Sequence, residues 1–398
     1  MRLLHSTRTF ALVITGAVAI AACNQQATRP VSDRDQTVAT KGVTYLAGQQ
    51  RVDGGFEVAG FPGFETPDAI AAIAANANVN SLAVVPEPIC AEGQSCPAPA
   101  ENRTRAWSTE TARSAVAAVK TAGGKTPLNA IDAFAQTPTL NAGQAAKVIV
   151  LVSEPLGYDS GAFDPAGDGT PVNLVRTVLN AYNANGTFGP AGSFNVTLYS
   201  ALATKLSLGS VPKATGPAII AGQRADGGWN YLGSATDATK SDTDTTALAI
   251  QALVASLPDN AAAWETKSPS VAQTAIAKGL GFLASQQQAD GGFLGLTATT
   301  LDPNSTSTAI LAIRSVGFNP AQPCWRNLAN STLKGTGFAS PATWLASQQQ
   351  ADGRVKSPND SFGVNTFATS QVVQALTLSW LPIAERPLIV CAPENLKP

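Results

Sequence analysis

The chain has 398 residues, only 13% of them charged, and a formal net charge of −1. No basic stripe is available to neutralise phosphates, which excludes nucleic acid as a partner, and there is no acidic tail. The single histidine is His5, so nothing beyond the extreme N-terminus can supply the imidazole of a Ser-His-Asp or Cys-His centre.

Residues 1–22 combine Arg2 and Arg8 with an apolar run from Phe10 to Ile20. The run is too short for an ordinary spanning helix and reads as a secretory signal. Its ending, Ile20-Ala21-Ala22-Cys23, resembles the lipobox of bacterial lipoproteins. That resemblance implies that Cys23 is diacylated and becomes the mature N-terminus. Asn24, in place of a retention aspartate, implies a lipid-anchored protein of the cell envelope, on the outer membrane where there is one. Residues 24–41 are polar with alternating charges and are expected to form a flexible tether before a single domain over 42–398. Four further cysteines, an even number, suit an oxidising compartment. They allow three pairings, and locality favours Cys90 with Cys96 and Cys324 with Cys391.

One phrase recurs along the domain, as Gln49 to Phe56, Gln223 to Trp229, Gln286 to Phe293 and Gln348 to Gly353. The aspartates Asp226, Asp290 and Asp352 define a unit of about sixty residues, and the longer gap after Asp53 holds two eroded copies, expected over 108–165 and 172–212. In the unit beginning at Pro269, apolar residues recur at three- and four-residue steps from Val271 to Leu283, which predicts an amphipathic helix over 270–288. Asp290-Gly291-Gly292 ends it, since glycine tolerates the left-handed conformation. Asn304-Ser305-Thr306 then offers capping oxygens before the second helix. The same order recurs at Asp242 to Leu253, at Asn365 to Leu378 and at Thr66 to Ala75. These second helices are rich in alanine and apolar nearly all round, so each unit pairs an outer amphipathic helix with an inner buried one. Six such hairpins bury every inner helix only if they close into a ring.

The combination of Gln-x-x-Asp-Gly-Gly-Trp/Phe with Asp242-Thr243-Asp244-Thr245-Thr246-Ala247-Leu248-Ala249-Ile250-Gln251 resembles the prenyltransferase/squalene-cyclase repeat. The fold it implies is all-α, an (α/α) toroid of about six helical hairpins, with the glutamine phrases knitting the outer helices. Arg354 departs from the phrase. Protein prenyltransferases of that superfamily hold zinc through aspartate, cysteine and histidine, which this chain cannot do without histidine, so no metal and no cofactor are expected. Complement-like toroids carry a Cys-Gly-Glu-Gln thioester, and that string is absent. Squalene–hopene-type cyclases protonate an alkene with the middle aspartate of Asp-x-Asp-Asp. Asp242 and Asp244 match that motif, and Thr245 replaces its third acid. The competing reading makes both aspartates helix caps. Secreted cobalamin carriers share the inner-helix starts and the disulfides, and resemblance to them implies a non-catalytic binder.

The loops from outer to inner helix gather on one rim, where free helix N–H groups can hold carboxylate, phosphate or amide oxygens. The candidate ligand-binding residues there are Phe61, Phe64, Tyr231, Phe362 and Phe367 for stacking, with Asp242, Asp244, Asn304 and Asn365 at helix starts. The expected function is a lipid-tethered, non-catalytic toroid that takes a corrinoid or isoprenoid small molecule, or a protein partner, at this rim. The alternatives are a terpenoid cyclase-like isomerase and a structural surface module. The lipobox carries its own test: wild-type protein is expected to partition into detergent and incorporate labelled fatty acid, and Cys23→Ser to do neither. Normal acylation of the serine variant would refute the assignment.

Overall fold

Asn141, Asp242 and Asp302 cap the starts of three inner helices, and alanine is frequent along the inner helices. The computed structural model describes residues 31–58, 62–80, 107–296, 299–329, 338–360 and 362–377, together with Arg386 and Ile389. The expected signal, Cys23, Cys90, Cys96, Cys391 and Phe61 lie outside the described residues. In chain order the helices are α1 (Asp33–Gly48), α2 (Thr66–Asn80), α3 (Thr109–Ala118), α4 (Pro127–Ala135), α5 (142–156), α6 (Leu174–Leu179) and α7 (Phe194–Leu208). They continue as α8 (Thr215–Ala221), α9 (Thr243–Ser256), α10 (Val271–Gln286), α11 (Pro303–Val316), α12 (Cys324–Ala329), α13 (Pro341–Ser347) and α14 (Thr366–Thr377). Within α5 a π-helical turn, Ile149–Ser153, stands before Pro155, which has no N–H to continue the i→i−4 ladder.

Helices α2, α5, α7, α9, α11 and α14 pack each on the next, and α14 packs on α2. They form a closed inner ring, and the helices α1, α4, α6, α8, α10 and α13 lie outside it. The fold is the expected all-α toroid. Close approach is possible because Ala69, Ala72, Ala247, Ala249, Ala252, Ala309 and Ala312 are wholly buried, so that backbones meet with little side-chain bulk between them. The eroded copies fall at α4–α5 and α6–α7, with α3 as an additional helix packed on α2.

The expected tether needs correction, because residues 33–41 are the first half of α1. Ser32 caps this helix by accepting from the Asp35 N–H at 3.1 Å, and Asp33 and Asp35 complement the positive end of its dipole. Val38 and Ala39 are buried. The polar residues at 33–41 that read as part of a tether belong to an outer helix whose other face is buried.

Each glutamine phrase is a latch. The amide Nε2 of Gln50, Gln223, Gln287 and Gln349 donates to the first glycine's carbonyl in its own phrase. Gln223 also reaches Ala275 O at 2.8 Å on α10, and Gln349 reaches Val38 O at 2.8 Å on α1. The aspartate of each phrase accepts from the N–H two residues on, at 2.9–3.1 Å. The aromatic residue then donates its N–H to a threonine of the inner helix. The pairs are Phe56 to Thr66, Phe188 to Thr197, Trp229 to Thr246 and Phe293 to Thr306, and all lie at 2.9–3.0 Å. In the last unit Val355 replaces the aromatic and donates to Thr369 at 2.9 Å, while Arg354 takes the place of the second glycine. Phe56, Trp229 and Phe293 are core residues, as expected.

Beyond α14, Arg386 donates to the carbonyls of Val254, Pro258, Asp259 and Ala261 at 2.7–2.9 Å, satisfying the C-terminal end of α9. Cys324 is buried and disulfide-bonded.

The ring closes where Gly353 meets α1. Its φ is +93°, and a Cβ there would stand 2.3 Å from Lys41 O. Gly353→Ala is therefore expected to lower stability in urea unfolding by at least about 2 kcal/mol, from strain and backbone collision together. Gly209 also has positive φ, at +75°, but nothing lies within 4 Å of its Cβ, so Gly209→Ala should lose only about 1 kcal/mol. Equal losses at the two glycines would contradict this account of closure.

Candidate functional site

The latch threonine fixes the rotation of five of the six inner helices, and with it the residues that face the middle of the ring. Two residues before it stand Phe64, Asn195, Asp244, Asn304 and Phe367; two residues after it stand Asp68, Tyr199, Leu248, Thr308 and Gln371. All ten line one central cavity of about 830 Å³. Five residues after it, Leu202, Gln251, Leu311 and Gln374 line the same space. Steps of four and three residues keep a stripe on one face of a helix. The second unit has no glutamine phrase, yet α5 supplies Gln144, Lys147 and Leu151 in the same stripe.

Asp244 is the central acid of this site. Ser305 Oγ donates to its Oδ2 at 3.0 Å, and Thr308 Oγ1 lies 3.1 Å from its Oδ1. Thr308 Oγ1 is also 3.1 Å from Ser305 O. A threonine hydroxyl that donates to that carbonyl keeps its lone pairs free to accept a hydrogen bond from neutral Asp244, so every polar atom of the protonated carboxyl has a partner. When Asp244 is ionised, Ser305 and Thr308 can both donate to it. Burial, then the charges of Asp242 and Asp302, push the Asp244 carboxyl up to about 7. Burial is also the main cause that raises the Tyr199 hydroxyl, with Asp68 and Asp244 adding to it.

In the ring order α9 stands three helices from α2, so Asp68 and Phe64 occupy the wall across from Asp244. Lys147 joins them from α5. Its Nζ pairs with Asp68 Oδ2 at 2.6 Å, donates to Phe64 O at 2.6 Å and lies 4.7 and 5.3 Å from the ring centres of Phe64 and Phe367. Those two rings stack at 4.6 Å. Between the walls, Gln371 Oε1 and Asn304 Oδ1 are buried acceptors without a hydrogen-bond partner.

Four of the expected ligand-binding residues, Phe64, Asp244, Asn304 and Phe367, are brought together here. Asp242 is instead the cap of α9, with Oδ1 accepting from Thr245 N at 2.7 Å. The cap reading thus holds for Asp242 and fails for Asp244, whose carboxyl reaches the next inner helix. Asn365 is also structural. At φ 57° it accepts from Ser357 N at 2.7 Å, and its carbonyl receives the Thr369 N–H that opens α14. Tyr231 and Phe362 are about half exposed and do not line the cavity. Sequence reasoning missed Asp68, Lys147, Asn195, Tyr199, Gln371 and Gln374, although counting from the latch threonine finds all but Lys147.

Asp244 holds its proton more tightly in the folded chain than at its ordinary value of 3.8. Between about pH 4 and 7 the folded state therefore binds more protons than the unfolded one, and stability falls as pH rises. Asp244→Asn cannot ionise. The stability of wild type relative to this variant, measured by urea unfolding, is expected to decline across that window. A difference independent of pH would show that the carboxyl is already ionised in the cavity.

No protein-family model and no curated protein sequence matches the chain. Solved structures do share its architecture. The unliganded type II terpene cyclase MstE from Scytonema superposes with a TM-score of 0.52 at 12% identity, over 87% of this chain and 99% of the cyclase. An aspartate-to-asparagine variant of that cyclase, in complex with its substrate geranylgeranyl dihydroxybenzoate, gives 0.52 at 12% identity over 87% and 97%. An aspartate-to-alanine variant holding the product merosterolic acid A gives 0.51 at 12% over 86% and 96%. At this identity the likeness is one of fold, and the chain has the terpenoid cyclase/prenyltransferase-like (α/α) toroid fold.

Proposed function

We propose that this protein is an acid-dependent isomerase of the type II cyclase kind, in which Asp244 protonates a carbon–carbon double bond of an isoprenoid-type substrate held in the central cavity. The observation that carries the reading is the placement of Asp244, a buried carboxyl at the cavity wall held by Ser305 and Thr308 from the neighbouring helix. The fold shared with a type II terpene cyclase supports it, and favours an enzyme over a non-catalytic carrier.

In the proposed reaction, the Asp244 O–H proton adds to one alkene carbon, and the alkene π pair forms the new C–H bond. The Asp244 carboxylate left behind accepts hydrogen bonds from Ser305 and Thr308, which lowers the cost of proton loss. The other alkene carbon becomes a cation and is attacked by a further double bond to close a ring. Loss of a proton to water ends the sequence, so substrate and product are isomers. Leu202, Leu248 and Leu311 offer apolar walls for the hydrocarbon, and Lys147 and the glutamine amides suit an oxygenated end of the same molecule.

One feature favours a second reading, ligand binding without turnover. Gln371 Oε1 and Asn304 Oδ1 are acceptors without partners, which suits a ligand rich in hydroxyl or amide donors more than a hydrocarbon chain.

Squalene and a geranylgeranyl-substituted aromatic acid separate the two readings. Wild type is expected to give cyclic product, and Asp244→Asn, folded by circular dichroism, to lose at least about 10²-fold in rate, since an amide cannot deliver the proton. Saturable thermal stabilisation by either compound without product would replace catalysis by binding. Turnover that survives in Asp244→Asn would remove the aspartate from the chemistry.

A further inference from the structure

A second cluster lies on the outer ring, away from the cavity. Asp132 is on the last turn of α4, and Asp164 and Asp168 are on the loop between α5 and α6. One carboxylate oxygen from each lies within 4.8 Å of the other two. None of the three lines the central cavity. Among the described residues, no lysine or arginine forms an ion pair with any of them.

The loop turns its oxygens towards α4. Asp164 accepts from the N–H groups of Asp168 and Gly169, each at 3.0 Å. Asp168 accepts from Thr170 N at 2.9 Å and from the Thr170 hydroxyl. The Gln136 amide is the side-chain donor that joins the two segments. It lies 2.8 Å from Asp132 Oδ2, 3.2 Å from Asp168 Oδ2 and 3.4 Å from Thr170 O.

Asp132 distinguishes this cluster from a solvated acidic surface. The residue is 3% exposed, and its buried Oδ1 makes no hydrogen bond of ordinary geometry, the Ala166 N–H giving the carboxyl only weak support. A buried carboxylate oxygen without an ordinary hydrogen bond, among two more carboxylates, is costly unless a cation completes it.

The geometry points to a structural divalent-cation site for calcium, formed by the carboxylates of Asp132, Asp164 and Asp168. Donors that are all oxygen exclude a thiolate or imidazole metal and suit a hard cation. Calcium accepts irregular oxygen geometry, whereas magnesium demands near-ideal octahedral geometry and dehydrates reluctantly, which suits a partly open loop site less well. Water would complete the six to eight ligands that calcium takes. The site also has a place in the ring. The second unit lacks the Gln-x-x-Asp-Gly-Gly latch, and a cation here would pin the loop that leads into α6 onto the end of α4, as the latches do elsewhere.

The test uses the full chain stripped of metal with a chelator and titrated with CaCl₂ at constant ionic strength. Equilibrium dialysis is expected to find one saturable calcium per chain, with a melting temperature that rises with calcium and rises less with MgCl₂. Asp164→Asn and Asp168→Asn are expected to weaken binding at least about tenfold, because ligand charge sets affinity in such sites. Asp244→Asn, a carboxylate change in the cavity, should bind calcium as wild type does. No saturable binding up to about 10 mM would overturn the site, well beyond the weakest such modules. Binding unchanged in both loop variants would place the ion elsewhere, and an equal response to magnesium would overturn the assignment to calcium.

Discussion

The hydrogen bond from the backbone N–H that follows each Asp-Gly turn to a threonine on the inner helix sets the geometry of the whole ring. It is buried in every unit that has it, at 2.9–3.0 Å, and a buried N–H left without its acceptor costs about 1–3 kcal/mol. Because the bond is made at one point of the helix, it fixes both height and rotation. The outer helices are held to one another through the glutamines of the same phrase. One short sequence therefore joins neighbouring units and aims the inner helix, which explains why it recurs although it does not line the cavity.

With rotation fixed, the cavity is built by helical arithmetic. Residues at −2, +2 and +5 from the threonine face inward, and the units differ in what they place there. The −2 row carries Phe64, Asn195, Asp244, Asn304 and Phe367, a mixture of ring, amide and acid. The scaffold repeats while the lining does not, so chemistry can be confined to one unit. Asp242 and Asp244 show the separation within three residues of chain. The first accepts the N–H of its own helix and serves the scaffold, and the second points across to α11 and belongs to the lining.

Much of this was legible in the sequence. The spacing of Asp226, Asp290 and Asp352 gives the unit, and alanine-rich second helices give the inner ring. Residues at the start of an inner helix, such as Phe64, Asp244, Asn304 and Phe367, were found because capping and loop patterns mark that position. The next row was not found, because Asp68, Tyr199 and Gln371 are one turn inside helices that are apolar nearly all round, where periodicity distinguishes no face. Polar residues in such helices carried the missing signal. Tyr231 and Phe362 failed for the opposite reason: an aromatic in a long loop has no helical register to turn it inward. Residues 33–41 were misread because the exposed face of an outer helix has the composition of a linker.

The departure at Thr245 bears on how an acid can be built in this fold. A neighbouring carboxyl can stabilise the conjugate base of a general acid only while it is itself protonated, since two adjacent carboxylates repel. Hydroxyls meet the same need without that condition. Ser305 and Thr308 come from the adjacent unit, each within 3.1 Å of Asp244, and a hydroxyl can accept from the neutral acid and donate to the anion by rotation alone. Asp302 and Asp242 are near enough to raise the acid but are engaged as caps of α11 and α9. In the proposed reaction two hydroxyls on the next helix would serve where the motif has its third acid, and the interface between two repeats would supply what one segment of sequence lacks.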